Sequence, residues 1–188
     1  MISEKRQIEN YGRVANEPYT WLSSAQDLLT ACDFLLPHNA IVNHDWGTVG
    51  GPPPPSETIR ISGVIGMLRA MAIECLLKGI WVKSGEKIAE DGEFKRIPGS
   101  RQHDLVQLAD VVDARFSLGL SPKDRELLGR LSLYNSRGRY PIPSHWQHHS
   151  IRNLPQGGKG TPTYWVIPAD ERLFSELIKR LNFILEGS

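Results

Sequence analysis

SETIRISGVIGMLRAMAIECLLKGIWVK, residues 56–83, is the stretch on which the fold turns. Ser56 or Thr58 offers an N-terminal start signal, and the run continues to about Lys83 without a proline. At 100° per residue its apolar side chains (Ile61, Val64, Ile65, Leu68, Met71, Ala72, Ile73, Leu76, Leu77, Ile80 and Trp81) fall at nearly every angle. A helix apolar almost all round must be surrounded, either by its own bundle or by a second subunit. Arg60, Glu74 and Lys78 share an arc of about 40° on the wheel. Glu74 and Lys78 have the acid-before-base spacing that pairs one turn apart. Together with Arg69 these charges argue against a membrane span.

The flanking sequence is read by the same rules. Pro18 suits a first helical position, with Asn16 near as a cap, and Trp21, Leu22, Ala25, Leu28, Leu29, Cys32 and Leu35 or Leu36 repeat at helical spacing until Pro37 closes the run. Residues 38–57 contain Gly50-Gly51-Pro52-Pro53-Pro54-Pro55, which reads as a stiff surface loop joining two helices, with a docking site for a proline-reading partner as the alternative. Gly85, Gly92, Pro98 and Gly99 punctuate a polar loop from Ser84 to Arg101. A third helix then opens at His103-Asp104, burying Leu105, Leu108, Ala109, Val112 and Phe116. Ser121-Pro122-Lys123-Asp124 is a start signal of the capping-box kind, and Leu127, Leu128, Leu131 and Tyr134 carry the fourth helix to Gly138. Residues 151–154 and 163–167, on either side of Gly157-Gly158-Lys159-Gly160, predict a β-hairpin. Asp170 is read as the cap of a last amphipathic helix through Leu173, Phe174, Leu177, Ile178, Leu181 and Leu185. The expected fold is all-α: an up-and-down bundle of about five helices in one domain, with a small hairpin insertion before the last.

At 188 residues the chain can bury one core without disulfide or metal staples. Cys32 and Cys75 sit in apolar helical patterns and read as buried thiols in a reducing compartment. With no apolar leader region after Met1, a cytoplasmic location is expected. The 22 basic and 21 acidic residues exclude a basic footprint over the whole molecule. Between Arg115 and Lys159, however, eight basic residues stand against two acidic ones, a field that attracts phosphate.

Within that segment Arg139-Tyr140-Pro141 ends a helical run and is followed by His145, Trp146, His148 and His149. Cations, aromatic faces and imidazoles so grouped can hold a nucleotide or act on RNA; they can also cap a helix and line a surface. The Walker phosphate loop, the dinucleotide glycine fingerprint, paired CxxC, HExxH and GxSxG are absent from the sequence. Gly157-Gly158-Lys159-Gly160-Thr161 lacks the spacing of a phosphate cradle. His38, His44, Asp45, His145, His148 and His149 read as surface groups before metal ligands, so neither metal nor cofactor is expected.

Three landmarks occur in order: residues 72–80 (AIECLLKGI) on the central helix, residues 103–108 (HDLVQL) opening the next, and Leu131 through Tyr134 leading to Gly138-Arg139-Tyr140-Pro141. This order and spacing resembles the HEPN family, the higher-eukaryote and prokaryote nucleotide-binding domains, over roughly residues 18–143. The resemblance implies a helical bundle that commonly forms homodimers and serves nucleotide or RNA transactions, often beside a nucleotidyltransferase in toxin and antitoxin pairs. One branch of that family is a metal-independent endoribonuclease using an arginine and a histidine at a spacing that Arg139 and His145 match, with five residues between them. Tyr140 in place of a polar residue, and Pro141 with Pro143, depart from that branch.

Three functions therefore stand side by side. A binding module would set Lys78, Arg130, Arg137 and Arg139 on phosphate and stack a base on Tyr140 or Trp146. A nuclease would use His145 as the base and Arg139 as the charge stabiliser. A dimerisation or protein-interaction module would use neither set, with Arg139 paired to Glu74 or Asp104 and Tyr140 packed on the bundle.

Overall fold

A computed structural model of the chain describes residues 3–43, 56–101, 103–137, 152–153, 159–160 and 168–187. Six helices and two short hairpins follow in the order α1 (Glu4–Ala15), α2 (Pro18–Asn43), α3 (Ser56–Lys83), β1 (Ala89–Glu90), β2 (Glu93–Phe94), α4 (Leu105–Phe116), α5 (Pro122–Arg137), β3 (Arg152–Asn153), β4 (Lys159–Gly160) and α6 (Pro168–Glu186). The result is an all-α bundle with a hairpin before its last helix. Helix α3 packs against α2, α4, α5 and α6, so most of its apolar surface is enclosed by its own chain, while Val64 stays exposed. Ile65, Ile73, Leu76, Leu77 and Ile80 on α3 are fully buried, with Leu105, Val112, Leu128, Leu177 and Leu181 from the surrounding helices. Two glycines set the distances. A Cβ at Gly66 would lie 2.8 Å from the Tyr134 ring of α5, and one at Gly79 would lie 2.9 Å from Leu185 of α6 and 3.1 Å from Trp21 of α2.

Start signals are realised at atomic level. At α5 the backbone N–H of Asp124 donates to Ser121 Oγ at 3.1 Å, while the Ser121 N–H and hydroxyl donate to Asp124 Oδ2 at 2.8 and 2.7 Å. This is a reciprocal capping box closed by aspartate. At α4 the Asp104 carboxylate accepts the Gln107 N–H at 3.1 Å.

Several expectations are corrected. Helix α1 escapes the sequence reading: its apolar stripe is short and none of its residues is buried. Helix α2 runs through Pro37 to Asn43 instead of stopping there, because proline removes one intrahelical bond while the long contact with α3 supports the helix. Of the loop expected over residues 38–57, residues 38–43 belong to α2 and 56–57 to α3, while residues 44–55, with the proline run, lie outside the described residues. The segment Ser84 to Arg101 is not simply loop: β1 and β2 pair Ala89 with Phe94 and Glu90 with Glu93 around Asp91 and Gly92, whose φ values are +52° and +80°. In the later hairpin Arg152 and Asn153 pair with Gly160 and Lys159; residues 163–167, expected as its second strand, lie outside the described residues. The ladder needs only backbone groups, so the glycine-rich segment itself serves as the return strand. Helix α6 starts at Pro168, whose fixed φ suits a first turn, which puts Asp170 inside that turn and frees its carboxylate to accept Arg130 at 2.5 Å.

Candidate functional site

The β1–β2 hairpin folds back beside α3 because Asn16 ties it to the end of α1. Asn16 Oδ1 accepts the N–H groups of Ile88 and Ala89 at 2.8 and 3.1 Å, and its amide donates to the Ala89 carbonyl at 2.7 Å. Between the hairpin, the loop after it and α3 opens a cleft of about 310 Å³, lined among others by Glu74, Lys78, Phe94, Arg96, Arg101 and His103. That volume lies at the small end of ligand pockets.

Glu74 anchors one wall. Lys78 Nζ donates to its Oε1 at 2.5 Å, His103 Nδ1 lies 3.1 Å from its Oε2, and the Asn135 amide donates to the same Oε2. A carboxylate can only accept in this setting, so the His103 contact places the imidazole proton on Nδ1. Burial, the largest single influence, would raise the Glu74 pKa; the Lys78 charge and the hydrogen bonds from Lys78, His103 and Asn135 outweigh it and hold the carboxyl below its ordinary range. Glu74 is therefore an ionised, satisfied carboxylate. His103 reaches it from a left-handed backbone, φ +64°, directly before the Asp104 cap. A non-glycine residue in that region carries local strain, held here by the cap on one side and the Glu74 contact on the other.

Beside the Glu74–Lys78 pair the cleft is aromatic and cationic. Lys78 Nζ lies 5.3 Å from the Trp21 ring centroid and 5.2 Å from that of Phe94, and the two rings meet at 6.5 Å. Phe94 nonetheless stays 48 % exposed, leaving ring surface open to a ligand. Arg96 and Arg101 are both exposed and line the same cleft, and neither has an ion-pair partner among the described residues. Among the described residues lining the cleft, three cations thus stand with one carboxylate, and two of them have no ion-pair partner there.

Of the described residues proposed from sequence, Lys78 lines this cleft. Arg130 is engaged elsewhere: it donates to Glu126 at 2.7 Å and to the buried Asp170 at 2.5 Å, bracing α5 against α6. Arg137 is the last residue of α5. Arg139, Tyr140, His145 and Trp146 lie outside the described residues. The basic segment is also less available than its composition implies. Arg115 pairs with Glu86 and lies 4.5 Å from the Trp81 ring centroid, and Arg125 bonds Asp110 and Asp113 at 2.9 and 3.0 Å. A second arginine cluster, Arg69 on Glu171 at 2.7 Å beside Arg130 on Asp170, surrounds only about 10 Å³ and is matched by its own acids. It is bundle structure with no surplus charge.

Phe94, Arg96, Arg101 and the contact of His103 with Glu74 were missed by sequence reasoning. The available signal was Asp91-Gly92, a two-residue hairpin turn, which would have placed Phe94 and Arg96 at the mouth of a folded unit. Among the described residues no group of three or more His, Cys, Asp or Glu is placed to hold a metal ion, and no helix is long and apolar enough to cross a membrane. Comparison of the chain with family models, curated proteins and solved structures found no match.

Proposed function

We propose that this chain is a nucleotide- or RNA-binding module of HEPN-like type whose ligand lies in the cleft beside Glu74. The observation that carries the reading is that Arg96 and Arg101, without ion-pair partners among the described residues, line the same cleft of about 310 Å³ as the half-exposed Phe94 ring. Guanidinium forks bind phosphate oxygens in pairs, and an exposed ring stacks any base. Two landmarks of the resemblance support the reading, since Glu74 and Lys78 from the first touch one another and His103 from the second touches Glu74. Asn135, three residues before Gly138 of the third, joins the same carboxylate. An accessory role beside a nucleotidyltransferase, in a homodimer and in a toxin and antitoxin setting, belongs to the same proposal.

Titration of fluorescent nucleotide and of short single-stranded RNA, with the wild type and with Arg96→Ala and Arg101→Ala, tests it. Loss of one charge-assisted phosphate contact corresponds to roughly ten- to a hundredfold weaker binding. The salt dependence should fall by about one unit of slope per arginine when RNA is the ligand. Equal affinity in wild type and both variants, or binding in none of them, sinks the reading.

A further inference from the structure

Resting on the reading that the cleft holds a nucleotide, we infer that its ligand is a nucleoside monophosphate, one base with one phosphate, and that Glu74 disfavours nucleoside triphosphates. Lys78, Arg96 and Arg101 against Glu74 leave a surplus of two positive charges at the cleft, which one phosphate monoester of nearly two negative charges balances. Among the described residues lining the cleft no further cation remains to meet the charge that each additional phosphate adds. The surplus would be three without Glu74, and the carboxylate is fixed in place: Lys78, His103 and Asn135 hold both its oxygens, so it has no freedom to turn away from an incoming anion. Its ionised state at neutral pH follows from the same partners.

Size agrees with charge. About 310 Å³ is near the lower limit of small-molecule sites, and a base laid on Phe94 with one phosphate at Arg96 and Arg101 uses that space. A triphosphate chain would carry its added charge along the Glu74 wall, against a like charge. The same chemistry, a base with a terminal monophosphate, occurs in a free nucleotide and at the 5′ end of an RNA strand.

Calorimetric titration of the full chain with AMP, ADP and ATP in EDTA tests the inference. Affinity should fall in that order, with ATP at least about tenfold weaker than AMP. In Glu74→Gln, checked for folding by circular dichroism, the gap should narrow by about tenfold as the cleft gains one positive charge. Hexanucleotide RNA with a 5′-phosphate or a 5′-hydroxyl separates the two sources: tighter binding of the phosphorylated strand than of AMP assigns the site to RNA ends, and the reverse assigns it to free nucleotide. ATP binding as tightly as AMP to the wild type overturns the monophosphate inference while leaving nucleotide binding intact, and this comparison decides even if the Gln variant fails to fold. Absence of binding by all five probes overturns the functional reading beneath it.

Discussion

Lys78, His103 and Asn135 approach Glu74 from three directions: α3 itself, the turn before α4, and α5. One carboxylate therefore ties together three parts of the bundle, and its ionisation enters the folding equilibrium. Because the folded pKa lies below the ordinary value of 4.5, the ionised group contributes stability that is fully present above about that pH and is lost as pH falls through the lower folded value. Glu74→Gln removes the charge-assisted part of the Lys78 and His103 contacts, for an expected loss of about 2 to 3 kcal/mol near neutral pH. Urea unfolding of both proteins from pH 7 downward checks this. The difference should persist to about pH 5 and shrink below 4.5, and a gap independent of pH across that range would show that the lost energy is packing alone. Cys75, one residue further along α3, shows the contrary case: it is only partly buried, not fully buried as its sequence pattern predicts, yet desolvation pushes its thiol up to about 11, so it remains protonated.

At the scale of elements the capping box at α5 carries more than a helix start. Asp124 Oδ2 accepts both Ser121 donors, and its Oδ1 takes the guanidinium of Arg180 from α6 at 2.8 Å, so one buried side chain fixes the beginning of α5 and its contact with α6. Asp124→Ala is expected to cost about 2 to 3 kcal/mol, combining a lost cap with an abandoned arginine, whereas Ser121→Ala, which loses the cap contact alone, should cost about 1. Denaturation midpoints of the two variants measure the difference, and equal losses would mean that the Arg180 bond contributes nothing. Elements of this kind were legible in the sequence because their causes are local: Ser121-Pro122 and Asp104 start helices, and the apolar run of α3 demands enclosure. What was not legible depends on tertiary support. Pro37 reads as a stop until α3 is seen alongside α2, and α1 has too little apolar surface to register until Asn16 binds the hairpin. The candidate site was illegible for the same reason. Arg96 and Arg101 look like loop solubility residues until the hairpin and the His103 turn bring them beside Lys78.

Across the whole molecule, burial is distributed unevenly, and this sets the order in which parts open. Helix α3 is enclosed by four helices and contributes the densest set of fully buried side chains, so its central amides become exposed only when the bundle as a whole unfolds. Helix α1 has no buried residue; Ile8, Tyr11 and Val14 remain about 40 % exposed, although Ile8 lies close to Gly92 of the hairpin turn. Its hold on the rest comes from polar contacts at its C-terminal end, the three Asn16 hydrogen bonds to the hairpin and the Trp21 indole donating to the Ala15 carbonyl at 2.8 Å. Native-state hydrogen exchange should accordingly show α1 opening at a free energy several kcal/mol below that of central α3. Asn16→Ala removes three bonds at once; it should speed exchange in α1 and at Ile88 and Ala89 by roughly ten- to a hundredfold while changing α3 far less, since the α3 amides report global stability. The hairpin also carries Phe94, so loosening it should weaken nucleotide binding in the same variant. If α1 and α3 exchange at the same free energy in the wild type, the first helix is an integral part of the cooperative core, and the link drawn from Asn16 through the hairpin to the cleft fails.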